Sequence, residues 1–260
     1  MEAILAATNW LCDMDGVLIR DNSKIPGADR FLERLTETGR SFLVLTNNSL
    51  LTPEEHADRL ATMGLKVPAE LVWTAAVATA QFIHSQRPDG SAYVIGERSM
   101  HQALHDVGYR EDDVKPDYVA LGESPDLSIA EVATAIRLIE RGSRFVATNP
   151  EPTGPSQDGP LPGVGAVAAM IERATGVAPY FVGKPNPMMI RDALRRLEAH
   201  STNAVLIGDR MDTDILSGTE AGLPTILVLS GVTTFDEIEG YAYRPSKVVG
   251  SVADLVDVLD

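Results

Sequence analysis

Short apolar runs alternate with longer segments of helical spacing along most of the chain. Trp10-Leu11-Cys12, Phe42-Leu43-Val44-Leu45, Ala204-Val205-Leu206-Ile207 and Thr225-Ile226-Leu227-Val228-Leu229 read as buried strands. Tyr93-Val94-Ile95, Tyr118-Val119-Ala120-Leu121, Phe145-Val146-Ala147 and Phe181-Val182 extend the pattern. Between them, Thr52-Pro53-Glu54-Glu55 offers an N-cap residue, a proline for the first turn and acids behind it. Ala57, Leu60, Ala61 and Met63 follow at helical spacing, and Gly64 ends the run. Asn186-Pro187 opens a second helix, with Met188, Ile190, Ala193, Leu194 and Leu197 predicted on its inner face. Helical patterns also cover roughly Met100 to Val107, Ile129 to Glu140 and Val164 to Thr175. Strand–helix alternation of this kind predicts an α/β fold with a parallel sheet.

The middle of the chain differs. Arg87-Pro88-Asp89-Gly90 and Thr175-Gly176-Val177-Ala178-Pro179 are turn-rich flanks, and a Pro- and Gly-dominated loop runs from Asn149 to Gly165. A loop of that length is uncommon unless it serves a function. The expectation is a domain inserted over residues 78–179, with 1–77 and 180–260 forming the other.

The length of 260 residues suits one large or two modest domains, and 44% hydrophobic residues can supply a core. Net charge is −15, from 22 basic and 37 acidic residues. An acidic surface disfavours nucleic acid and anionic membranes as partners, while a local site can still bind a small phosphorylated metabolite. With Cys12 the single cysteine, no internal disulfide can form. Met1 to Ala7 lack the basic start and long apolar stretch of a signal peptide, and no run has the length of a membrane span. A cytoplasmic protein is expected.

Chemistry concentrates where the apolar runs stop. Asp13-Met14-Asp15-Gly16 follows the first, Thr46-Asn47-Asn48-Ser49 the second, Gly183-Lys184-Pro185 the run at Phe181, and Gly208-Asp209-Arg210-Met211-Asp212-Thr213-Asp214 the run at Ala204. Two acids two residues apart beside a buried strand are costly unless a cation or a reaction uses both. Ligands of open parallel sheets bind beyond the carboxyl ends of the strands, so these four stretches are expected to converge. Asp13, Asp15 and Asp209 supply hard oxygen donors suited to Mg²⁺. Thr46 and the N–H groups after it can meet phosphate oxygens, and Lys184 can neutralise the same anion. That set suits phosphoryl transfer.

With these residues in that order, the chain resembles the haloacid dehalogenase superfamily of phosphohydrolases. Ala147-Thr148-Asn149-Pro150, Gly183-Lys184-Pro185 and Ile226-Leu227-Val228-Leu229-Ser230-Gly231-Val232 are similar to its NagD-type subgroup, whose large (C2-type) cap lies between the second and third motifs. The resemblance covers nearly the whole chain. It implies a Rossmann-like doubly wound parallel core with an inserted α/β cap, and a phosphatase. Asp13 would be the nucleophile that forms an aspartyl-phosphate, and Asp15 the acid and base. Mg²⁺ would be held by Asp13, the main-chain carbonyl of Asp15, and Asp209. Thr46, Asn47, Asn48 and Lys184 would bind the phosphoryl group. Asp214 would orient water or Lys184, and Asp212 would lie on the surface.

Such caps contact the leaving group, which makes the 149–165 loop the expected selector. It offers Asn149, Glu151, Thr153, Ser156, Gln157 and Asp158, and no Lys, Arg or His. That weakens pyridoxal phosphate and small acids as substrates. Nucleoside monophosphates such as UMP are the first expectation, with broad tolerance; sugar phosphate, glycerol phosphate, phosphoglycolate and pyridoxal phosphate are alternatives. Dehalogenation would not need Asp15, a mutase would release no phosphate, and a non-enzymatic phospho-ligand binder would lack one of Asp13, Asp15, Lys184 or Asp209. An exposed cap sheet would allow a homodimer.

Overall fold

The computed structural model describes residues 4, 6–154 and 159–259. In chain order its main elements are β1 (Asn9–Asp13), α1 (Ala28–Glu37), β2 (Ser41–Thr46), α2 (Pro53–Thr62), β3 (Val72–Thr74), α3 (Ala75–Gln86), β4 (Ser91–Ile95), α4 (Arg98–Asp106), β5 (Arg110–Glu111), β6 (Tyr118–Leu121), α5 (Ile129–Glu140), β7 (Arg144–Ala147), α6 (Val164–Thr175), β8 (Tyr180–Phe181), α7 (Pro187–Arg196), β9 (Ala204–Gly208), α8 (Leu216–Glu220), β10 (Thr225–Val228) and β11 (Lys247–Val249). The chain divides into two compact units: Met1–Thr46 with Pro53–Trp73 and Lys184–Asp260, and Asn47–Thr52 with Thr74–Gly183.

The first unit carries a six-stranded sheet in the order β3-β2-β1-β9-β10-β11. Numbered within its own sheet this is 3-2-1-4-5-6, the doubly wound order whose direction reverses between strands one and four. β1 pairs in parallel with β2 on one side and β9 on the other, with Cys12 opposite both Val44 and Ile207. All five residues of β1 are buried. A parallel strand covered on both faces reads as a continuous apolar run, which is why Trp10-Leu11-Cys12 was conspicuous. Helix α1, which the apolar pattern did not single out, packs Phe31 edge-on against Trp10 with ring centroids 5.8 Å apart.

Helix α7 begins as its sequence demands: the Asn186 side chain accepts from the Met188 N–H at 2.9 Å, and Pro187 is the first helical residue. Its buried face is Met189, Ile190, Ala193 and Leu194, so Met189 rather than the expected Met188 points inward. Rotating by one residue keeps the i, i+4 pairing of Met189 with Ala193 and Ile190 with Leu194. In α2 the buried residues are His56 and Leu60, and Ala61 is exposed, because the stripe runs one position earlier than the apolar residues suggested.

The second unit has its own five-stranded parallel sheet, ordered β8-β7-β6-β4-β5. Within that sheet the order is 2-1-3-4-5, a second doubly wound arrangement. Val119, Leu121, Phe145 and Ala147 pack with Val132, Ala135 and Leu138 of α5 and with Val164, Ala168 and Ile171 of α6. Helix α5 starts on a reciprocal cap. Ser128 Oγ accepts from the Glu131 N–H at 3.2 Å, and the Glu131 carboxylate accepts from the Ser128 N–H at 2.8 Å.

The 149–165 stretch is not wholly irregular, since Thr153–Gly154 and Leu161–Pro162 form a short antiparallel ribbon and α6 begins at Val164. Ser156, Gln157 and Asp158 lie outside the described residues. No helix among the described residues is long and apolar enough to cross a membrane.

The rotated face of α7 gives a direct test. Met189→Ala is expected to cost about 2–5 kcal/mol and Met188→Ala under about 1 kcal/mol in denaturant unfolding. The opposite ranking would return Met188 to the inner face.

Candidate active site

Asp13 is the last residue of β1, and its partner on β2 is Leu45, one residue before Thr46. On the other side β9 ends at Gly208, and Asp209 follows. Both acids therefore stand at the carboxyl ends of strands one and four of the sheet, where the winding reverses. Beyond Asp209 the chain makes a single π-helical turn, Met211–Ile215, which buries Asp214.

Lys184 is the centre of the cluster. It is 2% exposed, and its ammonium donates to Asp13 Oδ1 and, at 2.7 Å, to Asp214 Oδ1. Oxygens of Asp13, Asp209 and Asp214 lie within 4.8 Å of one another, all three residues being buried. Asp214 Oδ2 accepts from the Arg210 N–H at 3.1 Å, and Asp209 Oδ2 from the Val232 N–H at 2.7 Å. The approach is close enough to exclude side chains. A Cβ on Gly231 would stand 1.9 Å from Asp209 Oδ2. One on Gly16, whose φ is +85°, would stand 2.3 Å from the same atom. Ser230 Oγ donates to the Gly16 carbonyl at 2.7 Å, pinning the two glycine segments together.

Three carboxylates facing one ammonium out of water strain the ionised state. Burial pushes the Asp13 carboxyl well above its ordinary range; Lys184 opposes this, and Asp214 and Asp209 add to it. Asp209 is pushed up to about 7 by burial and by the neighbouring Asp214 carboxylate, against the Val232 N–H. Burial alone would lower Lys184, but Asp13 and Asp214 override it and hold the ammonium well above its usual value. Hard oxygen donors with surplus negative charge fit a small divalent cation, which would relieve that repulsion.

Asp15 is placed differently from Asp13. The turn after β1 closes on the Met14 carbonyl, which accepts from the Leu18 and Ile19 N–H groups. The Asp15 side chain leaves that turn 52% exposed, with Arg59 Nη1 of α2 3.9 Å away. The expected packing of both acids together is thus corrected: Asp13 alone bears the burial cost, and the Asp15 carboxylate lies outside the acid cluster. Asp214, not Asp15, supplies the third clustered carboxylate. A metal role for Asp15 would therefore use its main-chain carbonyl. Asp212 is exposed and ion-paired with Arg210 at 2.8 Å.

Thr46 is buried at the end of β2. Asn47, Asn48 and Asn149 belong to the second unit. There the Asn47 amide donates to Glu151 Oε1 at 3.0 Å, and Asn149 Nδ2 donates to the Asn47 carbonyl at 3.0 Å. Asn48 Oδ1 accepts from the Leu50 N–H at 3.0 Å, forming a local turn. Arg59, the Val232 N–H and the packing role of Gly231 were not foreseen; the glycine in Ser230-Gly231-Val232 was the available signal.

Residues 10–110 match the family model described as haloacid dehalogenase-like hydrolase, and residues 181–255 match HAD-hydrolase-like. The chain is 52% identical over 252 residues to dihydroxyacetone phosphatase of Corynebacterium glutamicum, covering 97% of this chain and 92% of that protein. It is 42% identical over 251 residues to the ribonucleotide monophosphatase NagD of Escherichia coli, covering 96% and 98%. The solved structure of that protein superimposes with a TM-score of 0.91 over the same shares. A 4-nitrophenylphosphatase from Thermotoga maritima, 30% identical, gives 0.95 over 99% of both chains.

The chain belongs to the haloacid dehalogenase superfamily, among its NagD-type phosphatases. The enzyme is a phosphoric monoester hydrolase, and the fold expected from the resemblance, a doubly wound parallel core with further α/β structure, is the one found.

The raised carboxyl of Asp209 fixes a sign. Its folded pKa, about 7, exceeds the ordinary aspartate value of 3.8, so ionising it opposes folding. The penalty is absent below about pH 4 and complete above about pH 7. Metal-free Asp209→Asn is therefore expected to gain melting temperature relative to metal-free wild type as pH rises from about 5 to about 8. A constant difference across that range would remove the buried-charge account. Gly231→Ala is expected to lower kcat by at least about tenfold by displacing the Asp209 carboxylate, measured on 4-nitrophenyl phosphate.

Proposed function

We propose that the enzyme hydrolyses small phosphate monoesters through an aspartyl-phosphate on Asp13, with dihydroxyacetone phosphate the first substrate to test. The observation that carries the chemistry is the buried cluster of Asp13, Lys184, Asp209 and Asp214 at the reversal of the first sheet. The 52% identity to a dihydroxyacetone phosphatase supports the substrate.

In this reading an Asp13 carboxylate oxygen attacks phosphorus. The bond to the alcohol oxygen breaks, its electron pair leaves with that oxygen, and Asp15 donates the proton that completes the alcohol. Asp15, now a carboxylate, takes a proton from water as the water oxygen attacks phosphorus. The bond to Asp13 breaks, orthophosphate leaves, and Asp13 is restored. Exposure suits Asp15 to this work, since its carboxylate is not locked into the Lys184 cluster. Lys184 neutralises Asp13 and the phosphoryl oxygens together, and Asp214 holds Lys184 in place. Thr46, with the main-chain N–H groups of Asn47 and Asn48, meets the remaining phosphoryl oxygens. Mg²⁺, held by Asp13, the Asp15 carbonyl and Asp209, would supply positive charge that offsets the repulsion between carboxylate and phosphate.

Residues 78–179 are proposed as the cap that meets the leaving group, on a core formed by 1–77 and 180–260. Asn149 acts there through its tie to Asn47 as well as through any contact with substrate. A nucleoside monophosphate such as UMP is the second reading, favoured by the 42% identity to NagD.

Asp13→Asn is expected to lower kcat on 4-nitrophenyl phosphate by about a thousandfold or more while retaining the wild-type melting profile within a few degrees. Turnover near the wild-type rate would remove Asp13 as nucleophile. Chelation with EDTA should abolish activity and added Mg²⁺ restore it; an unchanged rate in EDTA would refute the metal assignment. In a phosphate-release panel, kcat/KM for dihydroxyacetone phosphate is expected to exceed that for UMP by about tenfold, and the reverse order would favour the second reading.

A further inference from the structure

Residues 47–52 are grouped with the second unit, although the segments bonded to both their ends are grouped with the first. Ser49 is the centre of that attachment. It is fully buried, and its polar groups meet residues just past three strand ends. The Ser49 carbonyl accepts from Ser99 Oγ, at the start of α4 beyond β4. Its N–H donates to Glu123 Oε2, two residues beyond β6. Its Oγ lies 3.1 Å from the same carboxylate oxygen, accepts from the Glu123 N–H at 3.0 Å and lies 3.3 Å from Thr148 Oγ1, one residue beyond β7. Strands β4 and β6 are the first and third of the 2-1-3-4-5 sheet, so Ser49 sits at that sheet's own winding reversal. Such a crevice ordinarily receives a ligand. Here the chain's own serine occupies it, and Glu123 is the charged group that grips it.

We propose that Glu123 is a positioning residue for the phosphate-binding segment. Through Ser49 it fixes the main chain of Asn47 and Asn48, and the proposal rests on the reading above in which those N–H groups meet phosphoryl oxygens. Charge-assisted hydrogen bonds to a carboxylate are stronger than neutral ones, and two donors converge on one oxygen. Asn149 and Glu151 hold Asn47 by its carbonyl and its amide, and Glu123, with Ser99 and Thr148, holds Ser49 two residues on. Ser49 is one peptide from Asn48, so the covalent link passes a shift at Ser49 on to Asn48. Misplacing binding groups by about 1 Å can cost on the order of a hundredfold in rate.

The test compares Glu123→Ala, Glu123→Gln and Ser49→Ala. Steady-state kinetics on 4-nitrophenyl phosphate and on dihydroxyacetone phosphate are measured beside the inhibition constant of inorganic phosphate and the melting temperature. Glu123→Ala is expected to raise KM for both substrates and Ki for phosphate by a common factor of about tenfold, with a smaller fall in kcat. Glu123→Gln keeps an acceptor oxygen for Ser49 and is expected to return both constants to within about threefold of wild type. Ser49→Ala, which loses one of the two donors, is expected to fall between them. Constants for Glu123→Ala within about twofold of wild type would overturn the proposal. So would a KM change that varies with the leaving group while phosphate inhibition stays fixed, because that marks contact with substrate instead. If wild type is not inhibited by phosphate, or Asp13→Asn stays active, the underlying reading has failed; an active, phosphate-inhibited wild type with an indifferent Glu123→Ala defeats this inference alone.

Discussion

One buried ammonium holds the catalytic end of the first sheet together. Lys184 lies between Asp13 and Asp214 with Asp209 close by, and its charge opposes the burial that pushes the Asp13 carboxyl up. The surrounding backbone is shaped to permit the gathering. Gly16 and Gly231 give up side chains so that Asp209 can come in, the Val232 N–H donates to its Oδ2, and the turn after Asp209 buries Asp214. Crowding these carboxylates out of water opposes their ionisation, and burial pushes both Asp13 and Asp209 upward. Repulsion of this sort is common at functional sites, because carboxylates that repel one another also attract a cation.

The two acids of Asp13-Met14-Asp15 show how a turn separates two environments. They are two residues apart, yet Asp13 is in the dry cluster and Asp15 faces water beside Arg59. For Asp13 as the proposed nucleophile, a fixed neighbour and a low-dielectric setting are an advantage. For Asp15 as the proposed proton carrier, exchange with solvent is. The turn that closes on the Met14 carbonyl supplies both environments from adjacent peptide units.

Much of this was legible in the sequence for a physical reason. Parallel strands buried on both faces must be apolar throughout, so β1, β2, β6, β7, β9 and β10 announced themselves, and their ends located the polar clusters. Helical faces were read less well. Met188 and Met189 have the same chemistry, and only packing decides which turns inward. Strands β3 and β11 are three residues each and carry no periodicity to detect. The Pro- and Gly-rich composition of 149–165 hid a ribbon of two residues per arm. Least visible was the set of partners around Ser49. Ser99, Glu123 and Thr148 are ordinary polar residues just past three different strand ends, and nothing in the local sequence marks them as meeting at one serine.

The strap from Asn47 to Thr52 also bears on modularity. An insertion is usually pictured as a self-sufficient piece that could be cut out along its two junctions. Cutting this chain at Thr74 and Gly183 would take Ser49 away from Ser99, Glu123 and Thr148, because Ser49 belongs to the Asn47–Thr52 segment that precedes Thr74 in the chain. The second sheet is therefore complete only as part of the whole polypeptide. A transplant of this domain onto another scaffold would have to carry a stretch of its former host with it.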